Sequence, residues 1–137
     1  MAFNNYLIKL GGGSGTILPL TYMKYDTYKI TPNQRMDSNS ARNTLGVLVR
    51  NVVSHTASKI EFDTMPMNYT QQTAFMTLLR NNWSSVERKV TLQYYDMETD
   101  AYKTGTFYVP DIQWSIKSIE GNNKINYGST RIAFIEY

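Results

Sequence analysis

Apolar residues alternate with polar ones through most of this chain, and a period of two is the mark of pleated strands with one buried face. In residues 58–63, Ile60 and Phe62 interleave with Glu61 and Asp63. Val90, Leu92 and Tyr94 share one face of residues 88–95, and residues 101–109 return after a turn at 96–100. The same reasoning places strands at 3–9, 22–30, 45–54, 111–119 and 131–137. Ile112, Trp114 and Ile116 form the inward face of 111–119, and Val47, Val49, Val52 and Val53 supply the apolar positions of 45–54. Pro19 and Pro32 should bound the strand at 22–30, because proline has no N–H for a ladder. Aromatic content agrees: 11 tyrosines, 5 phenylalanines and 2 tryptophans suit pleated surfaces and interfaces.

One segment breaks the pattern. Phe75, Leu78, Leu79 and Trp83 recur at helical spacing, which predicts a helix over 68–82. Asn68 can cap it, with Gln71 three residues on to complete a capping box. Strands do not alternate with helices, which argues against a parallel α/β sheet. The expected fold is mainly β with one α-helix, a β-sandwich or barrel of about eight or nine strands. Residues 11–15, Gly-Gly-Gly-Ser-Gly, can only be a loop. Gly121-Asn122-Asn123 signals a tight turn, and Gly105 inside a strand signals a bulge or a close approach. Residues 33–44 are polar, with Met36 the one large apolar side chain. They should form an exposed loop or the tip of a long hairpin.

The 137 residues amount to one domain, 1–137, with 33–44 as its exposed part. The chain has no cysteine, which removes disulfides, thiolate metal sites and cysteine nucleophiles. Its 14 basic residues are scattered and the net charge is only +3, too mild a balance to imply nucleic acid by itself. The first ten residues lack the basic head of an export signal. No apolar stretch approaches the roughly 20 residues of a membrane span, so a soluble protein is expected.

Few residues offer chemistry. His55 is the single histidine, so any Ser-His-Asp triad must use it, and no nucleophile elbow accompanies it. One histidine without cysteine makes a poor zinc site. Glu61 and Asp63 could be an acid/base pair or a solvated strand face. Asp96-x-Glu98-x-Asp100 imitates a calcium loop, yet Ala101 and Phe107 stand where glycine and glutamate are needed. No catalytic, metal or cofactor residue is therefore assigned. Tyr22, Tyr25 and Tyr28, with Lys24 and Lys29 between them, leave open a small β-barrel module binding carbohydrate or single-stranded nucleic acid.

Residues 18–20 and 28–37, the latter reading Tyr-Lys-Ile-Thr-Pro-Asn-Gln-Arg-Met-Asp, resemble small structural proteins from the tail regions of siphophages and prophages of Gram-positive bacteria. Residues 58–62, 94–96, 102–108 and 134–137 fit the same pattern. The resemblance implies a tail-tube, distal-tail or baseplate component with a tail-tube-type sandwich or barrel and a long hairpin. It implies no enzyme activity and no cofactor. The implied partners are copies of the chain in a ring of six, neighbouring tail proteins, and genomic DNA passing through the lumen without sequence-specific binding. The implied location is the virion tail, after assembly in the host cytoplasm. An arm between subunits would use Asn33, Gln34, Arg35, Met36, Asp37, Arg42 and Asn43.

Overall fold

A computed structural model describes residues 3–35, 37, 40–52, 54, 56–84 and 86–137. Along these the chain forms β1 (Ile8–Leu10), β2 (Thr16–Ile17), β3 (Lys29–Gln34), β4 (Ala41–Arg42), β5 (Leu48–Val49) and β6 (Ala57–Asp63). There follow β7 (Met67–Asn68), α1 (Tyr69–Arg80), β8 (Lys89–Asp96), β9 (Ala101–Tyr108), β10 (Ile116–Ile119), β11 (Ile125–Tyr127) and β12 (Arg131–Glu136).

The main sheet has seven strands in the order β2-β1-β8-β9-β12-β6-β3, with antiparallel pairs throughout. Alternation does its expected work here. Ser58, Ile60 and Phe62 of β6, and Val90, Leu92 and Tyr94 of β8, are buried, while the residues between them face outward. Ile8, Leu10, Phe107, Ile132 and Phe134 complete that inner face. Helix α1 lays Phe75 and Leu79 against it, and Met67 of the small sheet β10-β11-β7 joins the same core. Asn68 caps the helix as expected: its side chain accepts from the Gln71 amide at 2.9 Å, and the Gln71 side chain accepts from the Asn68 amide at 3.1 Å.

Gly105 marks a close approach rather than a bulge. The β8–β9 register is unbroken across it, and a Cβ there would collide with the Glu136 carboxylate.

Several expected strands are redrawn. Residues 22–30 are not one strand: short 3₁₀ turns at Leu20–Tyr22 and Tyr25–Thr27 precede β3. The tyrosine spacing there, three residues apart, fits turns as well as it fits a strand. Pro32 lies inside β3 instead of ending it. It is tolerated because β3 borders the sheet and its pairing shifts between Thr31 and Gln34. Only Ile116–Ile119 of 111–119 is strand, and Ile116 is exposed while Ile112 and Trp114 pack on the core. Of the 3–9 segment only Ile8 onward is strand, with the Leu7 carbonyl accepting from the Tyr95 amide just before it.

Candidate functional site

The segment expected as an exposed stretch is the outer half of a long hairpin that continues β3 and β6. Beyond their pairing, Asp37 bridges Val52, and β4 pairs β5 with Ala41 opposite Val49 and Arg42 opposite Leu48. Among the described residues of 45–54, only Leu48–Val49 forms a strand, with Val52 in an isolated bridge. Asn43 builds the tip. Its backbone N–H donates to the Val47 carbonyl, and its side-chain oxygen accepts from the amides of Leu45 and Val47 at 3.0 and 3.1 Å. Gly46 takes φ +81° there, a conformation glycine adopts without penalty. Arg42 Nη1 donates to the Gly46 carbonyl at 2.9 Å. Lower down, Arg50 Nε meets both Asp37 oxygens at 3.0 and 3.1 Å. That hydrogen bond and the charge of Arg50 hold the Asp37 carboxyl below its usual range. Both side chains are well exposed, so the pair orders the arm more than it stabilises the fold.

What this arm shows to solvent is aliphatic. Leu45 is 86% exposed, and Val47, Leu48, Val49 and Val52 lie between 46 and 58%. Three arginines and one aspartate accompany them over residues 33–52. Contiguous exposed aliphatics of this kind mark interaction surfaces.

The root of the arm is the opposite in character. Asn33, in a left-handed conformation at φ +51°, donates its backbone N–H to Ser58 Oγ at 2.9 Å and its side-chain amide to Asp96 Oδ2 at 3.1 Å. Asp96 is fully buried and pairs with Lys103 Nζ at 2.8 Å. Burial alone would raise its pKa, but the Lys103 hydrogen bond and charge and the Glu98 amide outweigh that, and it is lowered. Ser58 Oγ lies 3.1 Å from Tyr94 Oη, and the Ser58 amide donates to Glu136 Oε1 at 2.7 Å.

The residues expected to act together thus separate. Asn33 and Gln34 belong to the root, Arg35 and Asp37 to the base of the arm, and Arg42 and Asn43 to its tip. Met36 lies outside the described residues, as does His55. Sequence reasoning missed the exposed Leu45 and Leu48, and it missed the buried root partners. A valine and leucine run flanked only by polar residues was the available signal for the first. Nothing local signals the second, since Asp96 reads like any acidic turn residue.

Other candidates disperse too. Tyr22 packs edge-on to Phe75 and Tyr28 stacks on Phe62, while Tyr25 points to solvent, so the three rings form no platform. Glu61 is engaged by Arg131 beside a shallow open depression, and both Glu61 and Asp63 lie on the outer face of β6. Among the described residues no group of three or more histidines and carboxylates could hold a metal. No helix among them is long and apolar enough to cross a membrane.

A family model described as "Family of unknown function (DUF6711)" matches residues 1–137. The chain belongs to the DUF6711 family. Comparison with curated proteins gives no match. Among solved structures, this DUF6711 chain is similar to a chain from the tail of an empty GTA (gene transfer agent) particle, computed with helical refinement and C6 symmetry. The TM-score is 0.50 at 16% identity, covering 99% of this chain and 95% of that one. The likeness is one of fold. It agrees with the expected architecture: a mainly β, tail-type fold with antiparallel sheets and one α-helix among the described residues.

Proposed function

We propose that this DUF6711 chain is a structural subunit of the tail of a phage or phage-like particle, and that it performs no catalysis. The observation that carries this reading is the fold likeness to a C6-symmetric tail chain over nearly the full length of both chains. In this reading six copies associate head to tail around a channel, a heterologous contact that closes by rotation. The bordering strands β2 and β3 offer sheet edges for such contacts. The projecting hairpin meets a neighbouring subunit or another tail protein and buries its aliphatics there. Asn33, Gln34, Arg35, Met36, Asp37, Arg42 and Asn43 belong to that arm, with Leu45 and Leu48 as its apolar anchors. Genomic DNA passes through the channel without sequence-specific contacts. The subunit folds in the host cytoplasm as one domain and ends in the virion tail.

The test is concentration-dependent assembly of the purified chain, followed by sedimentation and negative-stain imaging. Rings or short tubes of sixfold symmetry are expected at high concentration or with tail partners. A chain that stays monomeric at every concentration, and is absent from purified particles, sinks the reading.

A further inference from the structure

The root of the arm is held from five strands at once. Asn33 comes from β3, Ser58 from β6, Tyr94 and Asp96 from β8, Lys103 from β9 and Glu136 from β12. In the sheet order, β9, β12 and β6 lie between β8 and β3, so the Asn33–Asp96 bond is made across the concave inner face of a strongly curled sheet. Ser58 is 1% exposed and Asp96 0%. Buried polar groups joined in this way specify one geometry, because any other leaves a desolvated group without its partner.

We propose that this network is a latch that fixes the direction of the projecting hairpin in the free subunit, with Asn33 as its pivot. Two further observations agree. The β3–β6 register shifts between Thr31 and Gln34, so ladder hydrogen bonds do not by themselves carry the direction of β3 into the arm. Asn33 adopts a left-handed backbone, a conformation asparagine tolerates better than most side chains. Its two donors then point at two fixed acceptors, Ser58 Oγ and Asp96 Oδ2. Lys103 and the Glu98 amide hold Asp96 in turn. Glu136 holds Ser58, and the missing side chain of Gly105 leaves room for the Glu136 carboxylate. The arm is thereby aimed before any neighbour arrives. Pre-orientation of this kind lowers the ordering cost of binding.

The test uses the free chain and so stands apart from the assembly reading. The sequence has no cysteine, so Val49→Cys on β5 and Thr104→Cys on β9 carry spin labels without competing thiols. Double electron–electron resonance should give one narrow arm-to-body distance. Asn33→Gly permits the left-handed backbone, removes the side-chain bond and also frees the backbone at the pivot. It should broaden that distribution at least twofold, and the exchange of donor and acceptor with Asp96 separates the two causes. Asn33→Asp sets a carboxylate against Asp96 and should broaden it similarly. Asn33→Asp combined with Asp96→Asn exchanges donor and acceptor and should narrow it again. A parent distribution already as broad as that of Asn33→Gly overturns the latch. So does a Gly variant that leaves it unchanged, or a double variant no narrower than Asn33→Asp alone. Should Asn33→Asp fail to fold by circular dichroism, the Gly variant and the double variant still decide.

Discussion

The hairpin of β8 and β9 and the hairpin that projects beyond β3 and β6 start from the same kind of sequence and end in opposite environments. The first aligns eight residue pairs, from Lys89 opposite Tyr108 to Asp96 opposite Ala101. Its Val90, Leu92 and Tyr94 are at most 3% exposed. The second pairs two residues of β4 with two of β5 and leaves Val47, Leu48 and Val49 about half exposed. Alternating aliphatics make a strand in both places, but burial needs a second layer. Helix α1 and the small sheet share that core with β8, and among the described residues no such layer covers the arm. An apolar face without a layer of its own chain is suited to a partner's.

The largest expected effect tests the covered hairpin. Phe75→Ala removes the fully buried ring that α1 lays on the core. It should cost about 3–5 kcal/mol in urea denaturation. A loss below about 1 kcal/mol would mean that the helix is not the layer that holds β8 and β9.

A middle-sized effect lies where the two hairpins meet. Asp96→Asn removes the carboxylate that joins Asn33 to Lys103. It should cost about 1–3 kcal/mol at neutral pH, with the half-open Lys103 keeping the figure moderate. The sign with pH follows from the lowered Asp96 pKa. A carboxyl depressed in the folded state stabilises fully above its unfolded value of about 3.9 and loses that contribution as the pH falls through the folded value. Denaturation series from pH 7 to about pH 2 should therefore show the parent and Asp96→Asn converging only below about pH 4. Parallel curves would show that the Asp96 charge contributes nothing to this junction.

A smaller effect concerns the helix alone. Asn68→Ala breaks the capping box and should lower stability by about 1 kcal/mol, with Asn68→Gly milder. If the thermal melt of Asn68→Ala coincides with that of the parent, the side-chain bond to Gln71 is not what starts α1.

The helix was legible because its signal is local: a cap, a partner three residues on, and an apolar stripe. The β8–β9 hairpin was legible because alternation ran on both sides of a polar turn. The 22–30 segment misled because tyrosines suit strands, yet Tyr22 and Tyr28 reach the core from turns. In 111–119 the apolar residues reach the core from irregular backbone, and periodicity cannot register that. The site divided in the same way. A polar stretch after β3 announced an exposed arm, and the valines announced a return strand. Whether those valines would be covered depends on layers far along the chain. The root network depends on Asp96 and Glu136, which lie 63 and 103 residues beyond Asn33 (96 − 33 and 136 − 33), and only the curl of the sheet brings them together.

The smallest effect on stability is the most discriminating for the arm. Leu48→Ser should change the unfolding free energy of the free chain by no more than about 0.5 kcal/mol, since the side chain is already half exposed. Its effect on association should be much larger. Burying a leucine contributes about 1.5–3 kcal/mol, so removing it from a contact should weaken association roughly tenfold to a hundredfold. Equilibrium sedimentation of parent and variant measures the second quantity, and urea denaturation at low concentration measures the first. A large fall in stability with unchanged association would move Leu48 into the core of its own subunit and erase the contrast between the two hairpins. Unchanged values of both would leave the aliphatics of the arm without a partner, because a side chain that no surface covers can be exchanged for serine at no cost.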